Sequence, residues 1–291
     1  MDCRARTTWL RAVWIMLCLT VPLAAQRHSF QTFGFDDGLK NLAVERILQD
    51  REGFLWVATQ NGLFRFDGYR FTEFGPREGV PASQLQCLHQ SADGTLWVSS
   101  LDGLVRSDGN RFVKVDLSPA KKAKGMQAIA SDRHGRVFVA TRDGLLVMTK
   151  LPDGSGWRGS LTNMAGVEPN VMSALVRRNG EVVFGCGGSI CVLDNGRARE
   201  IHSGQFRDAW TFLVEDQAGN LYARSLQRLM VLKADSETFV EVHSERPLRT
   251  PNSTQMEVDL NGRLLIAVAG GLGIYDGEGW RFLTRQQGLL S

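Results

Sequence analysis

Five histidines (His28, His89, His134, His202 and His243) and five cysteines (Cys3, Cys18, Cys87, Cys186 and Cys191) could supply metal ligands or nucleophiles. Their spacing argues against both uses. No H-E-x-x-H, C-x-x-C or G-K-[ST] occurs. His202 and His243 stand 41 residues apart, at matching places of a repeat, and a shared structural slot explains them without a metal. "GCGGS" at 185–189 is glycine-rich, but it lacks the lysine and following helix of a phosphate loop and fits a hairpin turn. Carboxylates are common, yet nearly all occupy turn positions. No catalytic, metal or cofactor site is therefore expected. The run "KKAK" at 121–124 could attract an anionic ligand, but it reads first as a solvated loop.

One covalent link is expected, a disulfide between Cys186 and Cys191. The two flank "GGSI". A two-residue turn at Gly188–Ser189 would set them directly opposite each other, with Cβ atoms roughly 4.5–5.5 Å apart. A disulfide wants about 3.5–4.5 Å, so the hairpin must twist slightly. Cys87 would stay unpaired.

The elements behind these residues are repeats. "DREGFLWVATQNGLFRFDGYRF" at 50–71 returns as "SADGTLWVSSLDGLVRSDGNRF" at 91–112 and as "DRHGRVFVATRDGLLVMT" at 132–149, and three weaker copies follow. Their first turn glycines are Gly53, Gly94, Gly135, Gly180, Gly219 and Gly262, spaced by 41, 41, 45, 39 and 43 residues. Each copy reads as four short strands, a to d. In the first these are "VERILQD", "FLWVAT", "LFRFD" and "RFTEF". Asx–Gly pairs mark the hairpins between them. An Asp three places before the first glycine (Asp50, Asp132, Asp216, Asp259) can accept a backbone N–H two residues on. Four antiparallel strands every 40 or so residues predict an all-β chain folded as a β-propeller. A lone blade cannot bury both faces, so Trp56, Trp97, Phe138 and Tyr222 should pack between blades.

The first 25 residues differ. Arg4, Arg6 and Arg11 precede a 12-residue apolar run and "AAQ", which reads as a secretory signal peptide cleaved after Ala25, ahead of a propeller domain at 26–291. Twelve residues are too few to span a bilayer, which takes about 20. No membrane span is expected in the mature chain, and its location should be periplasmic or secreted. Without the leader the net charge falls from +3 to +1, which gives no footing for nucleic acid.

The repeat resembles that of the two-component regulator propeller family. Residues 36–68 and 78–109 follow its pattern closely, with D-x-x-G-x-L-W-V-x-T or its near equivalent and then N/D-G-L, and residues 125–149 follow it well. The resemblance implies an exported sensor propeller that binds a small molecule or oligosaccharide. In such proteins it precedes a membrane helix and a histidine kinase, diguanylate cyclase or response-regulator output, with homodimerisation possible in the parent. That C-terminal output domain is missing from these 291 residues. A stand-alone scaffold or a polysaccharide or lactone lyase are the alternatives.

In a propeller the d–a and b–c loops gather at one face around the channel mouth, and loops on a rigid scaffold commonly carry binding. Repeat position makes Asn41, Gln60, Gln84, Asp102, Arg142, Asn170 and Gln227 the ligand-binding candidates. Finally, counting "FQTFG" at 30–34 gives seven d strands for six a–b–c sets. "QGLLS" at 287–291 lines up with "DGLKN" at 37–41 and "EGVPA" at 78–82. The expectation is six four-stranded blades in an arc of a truncated seven-bladed ring, with an unpartnered strand at 30–34.

Overall fold

The computed structural model describes residues 30–201, 207–248 and 255–289. It is all-β: six four-stranded antiparallel sheets arranged as a six-bladed propeller, each sheet in the order of its sequence. Blade 1 holds β1 (Val44–Gln49), β2 (Leu55–Thr59), β3 (Leu63–Phe66) and β4 (Phe71–Phe74); blade 2 holds β5 (Leu85–Gln90), β6 (Leu96–Ser100), β7 (Gly103–Asp108) and β8 (Arg111–Val115). Blade 3 holds β9 (Ile129–Ser131), β10 (Val137–Thr141), β11 (Gly144–Lys150) and β12 (Trp157–Leu161); blade 4 holds β13 (Val171–Val176), β14 (Val182–Cys186), β15 (Ser189–Asp194) and β16 (Arg197–Glu200). Blade 5 holds β17 (Phe212–Glu215), β18 (Leu221–Arg224), β19 (Leu229–Leu232) and β20 (Phe239–Glu241); blade 6 holds β21 (Met256–Val258), β22 (Leu264–Val268), β23 (Gly271–Tyr275) and β24 (Trp280–Thr284). The leader expected at 1–25 and His202 lie outside the described residues.

The turns show why these residues form blades. Asp50 Oδ1 accepts the N–H groups of Glu52 and Phe54, and Oδ2 accepts Trp56 Nε1 at 2.7 Å. The carboxylate thus caps the a–b turn and also fixes the blade's large aromatic. Asp216 repeats this with Ala218, Asn220 and the Tyr222 hydroxyl. At the other end, the buried Thr59 and Thr141 hydroxyls donate to the carbonyls of Gly62 and Gly144 and staple the b–c turns. Trp56, Trp97, Phe138 and Tyr222 are all buried, each against the following blade.

Cys186 and Cys191 are joined, with S–S 2.00 Å and Cα–Cα 5.9 Å. The register differs from expectation. Cys186 pairs with Ser189 and Cys191 with Phe184, so the turn is Gly187–Gly188 and the two cysteines are diagonal neighbours on one face. Gly187 takes the left-handed conformation (φ 55°), which moves the turn one residue earlier than the sequence suggested. Cys87 is free and buried.

Residues 30–34 form no strand, contrary to the strand expected there. The reason is hydrogen bonding: every c strand, β23 included, already carries its own d strand, so no c edge is left to pair with. Instead Phe33 packs edge-on against Phe66 and Phe71, with ring centroids 4.9 and 5.8 Å apart. Gly34 and Gly38 then frame a 3-10 turn (Phe35–Asp37), capped by Asp37 on Gly34 N–H. The same lead-in turn precedes blade 2 (Pro76–Glu78) and follows blade 6 (Arg285–Gln287).

The seam between blades 6 and 1 is the loose one. Val44 and Ile47 on β1 are 42% and 54% exposed, whereas their counterparts Leu85 and Leu88 on β5 are 0% and 3% exposed. A cleft of about 340 Å³ separates β1 from Met256 and Leu265. Burial decides what truncation costs. Ile47→Ala is expected to cost well under 1 kcal/mol, and Leu88→Ala about 2–5 kcal/mol, in urea denaturation.

Candidate functional site

The mouth of the channel is built by bulges. β1 slips register between Val44 and Arg46, and β5 does so between Leu85 and Cys87, leaving Glu45 and Gln86 as the extra residues. A bulge turns its extra side chain away from the ladder. Both side chains point into a cavity of about 520 Å³, which Gln60, Gln84, Met126 and Gln255 also line. Glu45 organises it: Oε1 accepts Gln60 Nε2 at 3.1 Å and Gln84 Nε2 at 2.8 Å. Gln255 Nε2 donates to the Glu45 carbonyl across the 6–1 seam. The result is a carboxylate ringed by amides, with donors and acceptors suited to hydroxyl groups.

A second basin of about 720 Å³ shares Gln86 and is lined by Lys121, Lys122, Lys124, Arg142 and Asp143. The lysine run is a loop with exposed Lys121 and Lys122 and an anchored backbone. Ala120 and Ala123 are buried beneath it, and Lys124 N–H donates to Ala140 O on β10 at 2.8 Å. Lys122 Nζ donates to Leu101 O, and Lys124 Nζ to Asn170 Oδ1 at 2.8 Å. Burial, with the nearby Arg142 charge, lowers the Lys124 pKa from its ordinary value, and Glu168 only partly opposes this.

The seven sequence candidates divide. Gln60 and Gln84 meet at Glu45 in the first cavity. Arg142 lines the second, and Asn170 reaches it through Lys124. Asn41 serves a turn just before β1, its Oδ1 accepting Ala43 N–H at 2.9 Å. Asp102 lies elsewhere, in a pocket of about 330 Å³ with Pro76, Val80 and Lys114. Gln227 is exposed on its turn and lines neither cavity.

Below the mouth the channel is crossed rather than open. Gln127 reaches from the start of blade 3 to β17, donating to Leu213 O and accepting Leu213 N–H, both at 2.6 Å. The Arg46 guanidinium lies over the Phe212 ring, 4.8 Å from its centroid, and 3.8 Å from Glu257. His89 Nε2 meets the Ser131 hydroxyl at 2.8 Å, and burial together with Arg46 lowers its pKa to about 4. Repeat position overlooked Glu45, Gln86, Gln127 and Gln255. Polar residues within apolar a strands, or just before them, are the signal that would have found them.

The first repeat decides the comparison. The family model of the two component regulator propeller matches residues 38–61. The matched stretch runs from the left-handed Gly38 through β1 and β2 to the Asn61–Gly62 turn. No curated protein matches the chain in sequence. Among solved structures it is similar to the extracellular domain of the hybrid two component system BT3049 from B. thetaiotaomicron, at 21% identity and TM-score 0.67, covering 87% of this chain and 36% of that one. The extracellular domain of the hybrid system BT4673 from the same organism gives 19% identity and TM-score 0.69, covering 89% and 34%. Virginiamycin B lyase from Staphylococcus aureus, with quinupristin, gives 13% and 0.67, covering 85% and 87%. These likenesses show the fold. The chain spans about a third of the length of the two component system domains.

Proposed function

We propose that this chain is the ligand-sensing propeller of an exported signalling protein of the two-component or cyclic-di-GMP type. It takes a small molecule or oligosaccharide at the channel mouth and works by binding, without catalysis. The amide-ringed Glu45 cavity carries this reading, because its donors and acceptors converge on open space at the loop face. The repeat match at 38–61 and the likeness to extracellular sensor domains support it. Export would use the leader at 1–25, and the output module would lie in the remaining length of such a protein. No helix among the described residues is long and apolar enough to cross a membrane.

The loose 6–1 seam supports a further a–b–c set seated between blades 6 and 1 in that longer protein, covering Val44 and Ile47. There Ile47→Ala would become as costly as Leu88→Ala.

A thermal-shift and calorimetry screen of small saccharides tests the sensing reading. A ligand at a hundred times its Kd should add about 2.7 kcal/mol of stability, and Gln60→Ala with Gln84→Ala should weaken it. Turnover of the bound saccharide would replace the sensor with a lyase.

A further inference from the structure

Two strongly basic clusters remain unused by the reading above. One lies on the opposite face, where Arg133, Arg136, Arg177 and Arg178 line a pocket of about 260 Å³. Two of its four guanidinium groups are already paired. Arg136 pairs with Asp132 at 2.6 Å, and Arg177 pairs with Glu181 and Glu215, both at 2.9 Å. The basin beside the mouth is different. Asp143 is the one carboxylate in its lining, and that group already accepts the Lys121 backbone N–H. The Lys121 ammonium and the Arg142 guanidinium have no ion-pair partner among the described residues. Lys122 and Lys124 donate only to neutral oxygens.

We propose that this basin is an oxyanion subsite. The carboxylate or sulfate of a small hydroxylated ligand sits among Lys121, Lys122, Lys124 and Arg142, and the ligand's hydroxyls reach Glu45, Gln84 and Gln86 in the adjoining cavity. The inference rests on the sensor reading and narrows its ligand to acidic saccharides. Three features carry it. The four cations line a single concave surface, where low-dielectric walls strengthen their combined field. The buried Ala120 and Ala123 fix the backbone that carries the lysines, and Lys122 and Lys124 are held further by their own hydrogen bonds, so only part of the ordering cost is left for binding. Gln86 is common to both cavities, so one ligand of disaccharide size can span them. The lowered Lys124 pKa agrees: burial first and the Arg142 charge second disfavour its charged form, and Glu168 only partly offsets them. Arg142 supplies a planar fork for two parallel hydrogen bonds to one oxyanion.

Calorimetry on the full chain with cellobiose, cellobiouronic acid and sodium sulfate tests this, because the two disaccharides differ by one carboxylate. The acid should bind at least tenfold tighter than cellobiose, and the gap should shrink between about 50 and 200 mM salt. Arg142→Glu and Lys121→Glu should each erase the gap while keeping the melting temperature, and Arg178→Glu on the opposite face should leave it intact. Sulfate that competes with the acid supports the same subsite. Sulfate binding without any preference for the acid assigns the basin to free oxyanions and removes the saccharide. Equal binding of acid and neutral sugar, still weakened by Gln84→Ala, overturns the subsite and leaves the sensor reading standing. If neither the acid nor sulfate binds, the subsite is overturned outright.

Discussion

Arg224→Ala is expected to lower stability by about 3–5 kcal/mol. Arg224 is fully buried on β18, at the place where the other b strands carry Ala58, Ser99, Ala140, Gly185 and Ala267. Its guanidinium reaches blade 6 and meets only backbone carbonyls: Nη1 donates to Gln255 O at 3.0 Å, and Nη2 to Leu248 O and Ala267 O, both at 2.7 Å. Burial without a carboxylate lowers its pKa to about 10, so it remains charged at neutral pH. Alanine would strand three carbonyls and leave a cavity. The same carbonyls tie β22 and the residue beside the Glu45 cavity to blade 5, so blade 6 should loosen first. Urea denaturation read at a blade 6 tryptophan, Trp280, and by far-UV circular dichroism should then show two separated transitions in the variant. A loss under 1 kcal/mol with one coincident transition would refute the assignment. Arg224→Lys, which keeps three donors, should recover part of the loss.

Acidification from pH 7 to 4.5 should cost the wild type roughly 2–2.5 kcal/mol through His89 alone. His89 lies against the Ser131 hydroxyl, near the Arg46 guanidinium, and opposite Trp97 in its sheet. Its folded pKa of about 4 is below the ordinary 6.5, because burial first, and the Arg46 charge second, disfavour the imidazolium. The sign follows. The unfolded chain binds a proton that the fold refuses, so this stability is complete above about pH 6.5 and is lost as pH falls toward 4. Other carboxylates also titrate near the bottom of that window. The informative quantity is therefore the difference between wild type and His89→Gln, whose amide can still reach Ser131. Urea midpoints should converge between pH 7 and 4.5, the variant being flatter. Parallel profiles would show that His89 is not the group responsible.

The repeat made most of the fold legible. The Asp50–Gly53 spacing, the Asx–Gly hairpins and the alternating strands are local devices, decided within about 20 residues, and β1 to β4 fall within a residue or two of their predicted limits. The candidate site was legible only in part. Gln60, Gln84 and Arg142 are found from loop position, because the fold brings every b–c and d–a loop to one face. Asp102 satisfies the same rule and faces another pocket.

Sequence alone therefore determined the blade, its turns and the face on which loops converge, since short-range hydrogen bonds and strand periodicity fix them. The tertiary structure decided everything that crosses from blade to blade. The bulges aim Glu45 and Gln86 at a shared cavity, and Gln127 spans the channel over 86 residues of sequence. The Gly187–Gly188 turn sets the disulfide diagonal, and blade 1 keeps Val44 and Ile47 uncovered. Such contacts depend on where separate repeats meet around the ring, and no spacing within one repeat encodes that distance.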